Sequence, residues 1–136
     1  MGEKPRLTVG ALIFNSDGKV LLLKSHKWGG RYVNPCGHVK FMERLEDAVR
    51  REIREETGLE IKNIQFLRVL EFINPEQYHK KNLHFVGVQY VCEAREGIVR
   101  INKEAEEYLW VYPSKAVKMD LEWGARKAIE YFLSNR

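Results

Sequence analysis

The stretch that decides the fold is GHVKFMERLEDAVRREIREETGL, residues 37–59. It holds the carboxylates of Glu52, Glu55 and Glu56 within little more than one helical turn. Gly58 follows and predicts the C-terminus of a helix, where the helix macrodipole already concentrates negative charge. Acidic groups at that end destabilise a helix unless something positive offsets their repulsion. The pattern therefore indicates a bound divalent cation.

The apolar residues of this stretch predict a helix over residues 44–57, since Leu45 and Ala48 begin a helical repeat. At about 100° per residue, Glu52 and Glu56 fall on the same face as that repeat. The face that should be buried thus begins apolar and becomes acidic, and unpaired buried charge is costly. The alternative is a solvated, Glu-rich helix laced with ion pairs. From the segment RREIREE alone, that alternative is the better interpretation.

The wider spacing changes this interpretation. The positions with a defined spacing are Gly37, Glu43, Arg51, Glu52, Ile53, Glu55, Glu56, Gly58 and Leu59. Their arrangement resembles the signature of the Nudix (MutT-like) hydrolase family and matches it at every defining position. The resemblance is specific for the family and carries no information on the substrate.

The resemblance implies an enzyme that cleaves a nucleoside diphosphate linked to another group, with Mg²⁺ or Mn²⁺ as cofactor. It implies that Glu52, Glu55 and Glu56 are metal ligands and that the backbone carbonyl of Cys36 adds a further ligand. Glu52, Glu55 and Arg51 are the implied catalytic residues: one glutamate also serves as the base, and Arg51 orients a glutamate. Metal ions neutralise phosphate charge and lower the pKa of bound water, and the planar fork of arginine suits carboxylates.

The same resemblance assigns supporting roles. Gly37 is expected to permit a tight loop into the helix, Glu43 to lie near the metals, and Gly58 to end the helix. The acidic segment KEAEEYLW resembles one that many relatives place before a late strand, where it supplies a ligand or a general base. Glu104 and Glu107 are the candidates in that segment, with a solvated loop as the alternative.

The chain departs from the common pattern at positions that do not define the family. Cys36 precedes Gly37 where many relatives have a second glycine, and Met42 precedes Glu43 where many have glycine. Lys40 stands where many have glutamate. These differences concern the loop and the outer metal positions rather than the three glutamates.

The remaining pattern predicts an α/β (α+β) protein, because strands outnumber helices and one helix lies mid-chain and one at the end. Strands are expected at residues 6–15, 19–23, 32–39 (interrupted at Pro35), 60–73, 84–93 and 107–112, and a last helix at 122–133 capped by Asp120. The resemblance implies a Nudix-type α-β-α sandwich with a mixed β-sheet. The length of 136 residues fits a single domain over residues 1–136.

Composition limits the partners and the cellular location that we expect for the protein. The net charge is +4 and the isoelectric point about 9.1, which suits anionic partners without a dense basic block for nucleic acid. No apolar run is long enough to span a membrane, and the N-terminus lacks a signal-peptide pattern. Cys36 and Cys92 are expected to be reduced thiols in a cytoplasmic protein. The expected partner is a small nucleotide substrate, with a homodimer left open.

Single residues elsewhere suggest contacts with such a substrate. His38 lies in the signature loop and can reach phosphate, and Lys80 and Lys81 are better suited to phosphate charge, although a solvated loop is the simpler interpretation. Some aromatic residues near predicted loops either stack on a base or pack in the core; they are Trp28, Tyr32, Phe41 and Tyr78.

The leading functional hypothesis is a pyrophosphohydrolase of free nucleotides such as a (d)NTP or an oxidised (d)NTP. An ADP-ribose or nucleotide-sugar pyrophosphatase is an alternative, because Pro75 stands where relatives acting on ADP-ribose often have proline. Removal of phosphate from RNA 5′ ends is a further alternative, suggested by the basic isoelectric point. A non-catalytic Nudix binding module is disfavoured, since this chain keeps all the signature glutamates.

Overall fold

The computed structural model describes residues 4–135 of the chain. The strands in this part are β1 (Arg6–Phe14), β2 (Val20–Ser25), β3 (Arg31–Val33), β4 (Cys36–His38), β5 (Ile61–Ile73), β6 (His84–Ala94) and β7 (Glu107–Val111). The helices are α1 (Leu45–Thr57), α2 (Pro113–Ala116) and α3 (Trp123–Ser134), and a 3-10 turn spans His26–Trp28. No helix formed by residues 4–135 has the length and apolar character needed to cross a lipid bilayer.

The strands form one mixed sheet around β1. This strand runs parallel to β6, with Arg6 opposite Phe85. The other pairs are antiparallel: β5 lies beyond β6, and β2 pairs with β1, β3 and β7. β4 pairs with the first half of β1, where Thr8 lies opposite His38. The chain that leads into α1 is thereby hydrogen-bonded directly to the central strand.

Both faces of β1 and β2 are buried, and alternate side chains serve different cores. Ala11 and Ile13 of β1 and Leu21 of β2 pack with the apolar residues of α1. Leu12 and Leu22 point the other way and pack with the apolar residues of α3. This alternation follows from the period of two in a strand. The sheet therefore lies between two helical layers, which confirms the predicted mixed sheet with helices packed on it.

Helix α1 matches the predicted range within one residue. It begins after Arg44, whose side chain makes no capping hydrogen bond. It ends at Gly58, which has φ 74° and donates its N–H to the carbonyl of Arg54 at 2.9 Å. A left-handed residue that closes the last turn is the usual role of glycine at this position, so Gly58 ends the helix as expected.

The strand predicted over residues 32–39 is interrupted at Pro35, as expected. The structure has two short strands there, with Pro35 between β3 and β4. Proline has no N–H to donate to a strand ladder. Its carbonyl instead accepts a hydrogen bond from the N–H of Ala11 at 3.1 Å. The chain thus passes at Pro35 from its pairing with β2 to its pairing with β1.

The predicted cap of the last helix was wrong. Asp120 lies further upstream and is mostly exposed, with its carboxylate 3.6 Å from the guanidinium of Arg31. The capping residue is Glu122, whose side chain accepts hydrogen bonds from the N–H groups of Gly124 and Ala125. A carboxylate in that position also complements the positive end of the helix dipole.

Candidate active site

A cleft of about 280 Å³ opens beside α1, β4 and the 3-10 turn. Four carboxylates that line it form what we call the acidic set: Glu52, Glu55, Glu56 and Glu104. Three buried residues form the polar set: Asn34, Gln89 and Glu122. Four rings form the aromatic set: Trp28, Phe72, Tyr78 and Phe85.

Arg51 links the two ends of the signature stretch. Its Nε and Nη2 donate to the two carboxylate oxygens of Glu43 at 2.8 and 2.9 Å. Its Nη1 donates to Glu52 at 2.7 Å and to Glu55 at 3.3 Å. Nη2 also donates to the backbone carbonyl of His38 at 2.9 Å. One guanidinium therefore holds three carboxylates and one carbonyl of β4.

Glu43 anchors this network. Besides Arg51, it accepts a hydrogen bond from the N–H of Lys40 at 2.9 Å. The hydrogen bonds from Arg51 favour the charged form and lower the pKa of Glu43 to about 2. Met42, just before it, adopts φ 66°, a left-handed conformation that glycine accepts without strain. The backbone thus explains why glycine suits this position in the family signature.

Gly37 leaves room for Glu52. A Cβ at Gly37 would lie 2.1 Å from the carboxyl carbon of Glu52 and 2.1 Å from its Oε2. The expected reason for this glycine, a tight loop into the helix, was wrong, because Gly37 lies within β4 opposite Val9. Its role is to allow the carboxylate on α1 to approach the strand backbone closely.

Glu56 is a buried carboxylate with one direct amide donor. It is 7% exposed, and its Oε1 accepts the N–H of Cys36 at 3.2 Å. Burial raises the pKa of Glu56 well above its usual value, the nearby charge of Glu52 raises it further, and the amide of Cys36 opposes this. A bound cation would offset the electrostatic repulsion between two adjacent acidic groups in such a desolvated site.

The three signature glutamates share one end of α1 but differ in environment. The side chain of Glu52 is 15% exposed, whereas that of Glu55 is 53% exposed and contacts Arg51. As the side chains are placed, no three His, Cys, Asp or Glu residues within 4–135 lie close enough together to hold a metal ion. The donors are still of the kind that hard cations prefer, namely carboxylate oxygens beside a backbone carbonyl. The helix-wheel prediction is confirmed for Glu52 and Glu56, which lie on the buried face.

Of the two later acidic candidates, Glu104 lines the cleft and Glu107 does not. The N–H of Glu104 donates to Oδ1 of Asn102 at 2.9 Å, and Nδ2 of Asn102 donates to the carbonyl of Glu55 at 3.2 Å. This loop is therefore tied to the C-terminal turn of α1. Glu107 lies on β7, where its carboxylate accepts the hydroxyl proton of Tyr32.

The polar set was not predicted from the sequence. Asn34, Gln89 and Glu122 are 4–5% exposed. Nδ2 of Asn34 donates to the carbonyl of Ala11 at 3.2 Å and to Oε1 of Gln89 at 3.1 Å. Because a carbonyl only accepts, these bonds fix the orientation of both amides. Oδ1 of Asn34 and Nε2 of Gln89 then remain without a partner among residues 4–135, an acceptor beside a donor.

The aromatic set includes two of the predicted stacking residues. Trp28 and Tyr78 pack together with ring centroids 4.5 Å apart, and Tyr78 meets Phe85 edge-on at 5.7 Å. The other two candidates do not line the cleft: Tyr32 packs beneath α3, and Phe41 is 93% exposed. Apolar rings beside buried polar groups can hold a flat heterocycle.

The basic residue that the structure brings to the cleft is Lys27, on the 3-10 turn. Lys80 and Lys81 are both exposed and neither lines the cleft, which agrees with the solvated loop that was the simpler interpretation for them. His38 does line it. Lys27 was missed because the segment SHKWGGR, residues 25–31, has the glycine pair of an ordinary surface loop.

Comparison with known proteins settles the family. The model of the NUDIX domain matches residues 4–132, almost the whole chain. The chain belongs to the Nudix family. As a Nudix protein it is a hydrolase that acts on phosphoanhydride bonds, which confirms the interpretation of the signature.

Individual Nudix relatives agree with this assignment. The nucleoside triphosphatase NudI of Escherichia coli O139:H28 (strain E24377A / ETEC) is 30% identical over 131 residues, covering 90% of this chain and 93% of the relative. A MutT NUDIX hydrolase from Burkholderia pseudomallei is 30% identical, with a TM-score of 0.80 over 95% of this chain and 98% of its own. The NUDIX domain of Shewanella oneidensis NrtR, solved with ADP ribose, shares the fold at 22% identity and a TM-score of 0.80, over 98% and 90% of the two chains. The predicted Nudix-type sandwich is confirmed.

Proposed function

We propose that this protein is a metal-dependent pyrophosphohydrolase of free nucleoside triphosphates, including oxidised ones. The observation that carries the proposal is the composition of the cleft, which joins an acidic set to buried polar and aromatic sets. The first suits a cation and a phosphate chain, and the others suit a base. A nucleotide contains both a phosphate chain and a base.

The acidic set fits Mg²⁺ or Mn²⁺. Glu52, Glu55 and Glu56, with the backbone carbonyl of Cys36, would hold the ion, since all four supply hard oxygen donors. The raised pKa of buried Glu56 supports this fit. When bound, the ion neutralises phosphate charge and makes water more acidic.

The remaining chemistry belongs to the side chains. Glu52 and Glu55 are the candidates for the base that takes the proton of the attacking water, because both carboxylates line the cleft. Arg51 holds both of them through Nη1, and its own position is fixed by Glu43. The water oxygen then bonds to phosphorus as the bridging P–O bond breaks, and no covalent enzyme intermediate is required.

The polar and aromatic sets are suited to bind the nucleobase of the substrate. A base edge presents hydrogen-bond donors beside acceptors, which match Oδ1 of Asn34 and Nε2 of Gln89. The ring faces of Trp28 and Tyr78 suit stacking on a heterocycle. The name of the 30% identical relative, nucleoside triphosphatase NudI, points to the same class of substrate.

The lining of the cleft does not include the residue that suggested an ADP-ribose or nucleotide-sugar substrate. Pro75, which suggested that alternative, lies in a turn closed by the N–H of Tyr78 on its carbonyl at 3.3 Å. It does not line the cleft. The structure of the NrtR domain with ADP ribose remains a reason to include that compound in the test.

A substrate panel tests the proposal. Purified protein with Mg²⁺ is incubated with (d)NTPs, oxidised dNTPs, ADP-ribose, nucleotide sugars and triphosphorylated RNA, and the products are separated. We expect the highest kcat/KM for a triphosphate, with release of a nucleoside monophosphate and pyrophosphate. Glu56→Gln should lower kcat about a hundredfold as a ligand-deficient control. Cleavage of ADP-ribose or a nucleotide sugar without any triphosphate activity would contradict the proposal.

A further inference from the structure

The cleft that we assign to a polyanion carries little positive charge of its own. Five carboxylates line it, those of the acidic set and of Glu122, and among the lining residues of the described chain Lys27 alone is a lysine or arginine. Arg51 lies behind the glutamates and is already occupied by them. Among the described residues that line the cleft, Lys27 is therefore the lysine or arginine available to meet a phosphate chain.

Lys27 is held at a junction of two loops. Its backbone carbonyl accepts the N–H of His79 at 2.9 Å, from the segment between β5 and β6. Its Nζ donates to Oε1 of Glu104 at 2.9 Å, from the segment before β7. Both side chains of this ion pair are partly exposed, 39% for Lys27 and 47% for Glu104. The ammonium can therefore move to another anion without unfolding either loop.

Such an exchange would break the ion pair with Lys27 and leave the Glu104 carboxylate unpaired. Its loop is fixed to α1 through Asn102, so its carboxylate stays near the signature glutamates when Lys27 leaves. Glu104 and Glu56 line the same cleft, and after burial and the effects of Glu52 the charge of Glu104 also raises the pKa of Glu56.

We propose that Lys27 is a positioning residue that exchanges partners: it pairs with Glu104 in the free enzyme and with a phosphate oxygen of the bound nucleotide. The exchange neutralises substrate charge and frees the Glu104 carboxylate from its ion pair with Lys27, beside Glu52, Glu55 and Glu56. The proposal rests on the proposed function, since it takes the polyanion to be a nucleotide. An exposed ion pair contributes little to stability, which makes the exchange energetically easy.

Calorimetric titration with an α,β-methylene nucleoside triphosphate in millimolar Mg²⁺ tests this exchange without hydrolysis. Lys27→Met should weaken binding about tenfold or more, because a hydrogen bond between charged groups is lost. Lys27→Arg should restore most of the affinity. Lys62→Met, on an exposed position of β5, is the matched control and should bind as the wild type does. Equal affinity of the Lys27→Met and Lys62→Met variants would overturn the proposal.

A double-mutant cycle tests the partner exchange itself. Glu104→Gln removes the competitor of the phosphate and should strengthen binding in the wild-type background, but much less in the Lys27→Met background. An identical effect in both backgrounds would overturn the exchange. The melting temperature of Lys27→Met should stay close to that of the wild type, and a large fall would instead show a structural role and overturn the proposal.

Failure of this inference can be distinguished from failure of the proposed function. A protein that hydrolyses triphosphates but binds the analogue equally well with and without Lys27 keeps its function and loses this inference. A protein that fails to hydrolyse triphosphates, yet loses analogue binding in Lys27→Met, keeps the Lys27 contact and loses the proposed function.

Discussion

At Gly37 the absence of a side chain sets the distance between β4 and the carboxylate of Glu52. The Cβ of Gly37→Ala would lie 2.1 Å from that carboxyl carbon, so Glu52 must turn away from the cleft. We expect kcat to fall about a hundredfold, because a displaced ligand or base costs several kcal/mol. Steady-state hydrolysis of the preferred nucleotide measures kcat, and thermal melting of the same sample checks that the variant is folded.

Gly97 provides the control for that substitution. A Cβ there would lie 3.7 Å from Leu59, an ordinary contact, so Gly97→Ala should keep wild-type turnover. If Gly37→Ala were as active as Gly97→Ala, the close approach of Glu52 would have no catalytic importance.

The Glu43–Arg51 pair predicts a pH dependence of stability. The pKa of Glu43 is about 2 in the folded protein and about 4.3 in an unfolded chain. A lowered pKa stabilises the fold above the unfolded value, and this contribution is lost as the pH falls from about 4.3 to 2. Urea unfolding at pH 5, 4 and 3 should show a shallower decline for Glu43→Gln than for the wild type. Parallel declines would argue against the pair.

Single residues were predictable where one helix carries them. The spacing of Glu52, Glu55 and Glu56 on α1 is enough to place them at one helix end. Asn34 and Gln89 come from separate parts of the chain, and their contact exists only once β1, β4 and β6 are paired. No local pattern marks such residues, so the polar set needed the structure.

At the scale of elements, the cap of α3 gives a direct prediction. Glu122→Ala removes the acceptor of the Gly124 and Ala125 N–H groups and should cost about 1–2 kcal/mol in the free energy of unfolding. Asp120→Ala should change it by less than about 0.5 kcal/mol, because that side chain is exposed. Chemical denaturation of both variants compares them. A larger cost for Asp120→Ala would restore the cap that the sequence suggested.

Element boundaries were predictable where a residue type enforces them. Gly58 ends α1 because its left-handed backbone closes the last turn. The break at Pro35 in the strand over residues 32–39 was predicted correctly, but the pattern did not show that β3 and β4 pair with different neighbours. Helix α2 has only four residues, which is too short for a periodic signal.

For the whole molecule, we expect a divalent cation bound by the signature glutamates to stabilise the native state. A ligand that binds only the folded form raises the melting temperature. Millimolar Mg²⁺ should therefore raise it in the wild type by a few degrees, and by much less in Glu56→Gln. Differential scanning calorimetry with Mg²⁺, and with EDTA as the reference, makes the comparison. Equal shifts in the two proteins would place the ion elsewhere.

The overall architecture followed from local patterns because β1 and β2 must bury both faces. Runs such as those of Leu21 and Leu22 can be satisfied only by a layer on each side of the sheet, and the two helices supply these layers. The cleft could not be predicted in the same way. Its walls combine α1, two loops and the start of α3, whose relative positions depend on the sheet order β3-β2-β1-β6-β5.

The central claim is that Glu52, Glu55 and Glu56 converge on a divalent cation beside the phosphate chain. Crystals soaked in Mn²⁺ together with an α,β-methylene nucleoside triphosphate test it through anomalous scattering. We expect an anomalous peak for a Mn²⁺ ion coordinated by oxygens of those three glutamates and of the phosphates. Density for the nucleotide with no peak beside these carboxylates would contradict it.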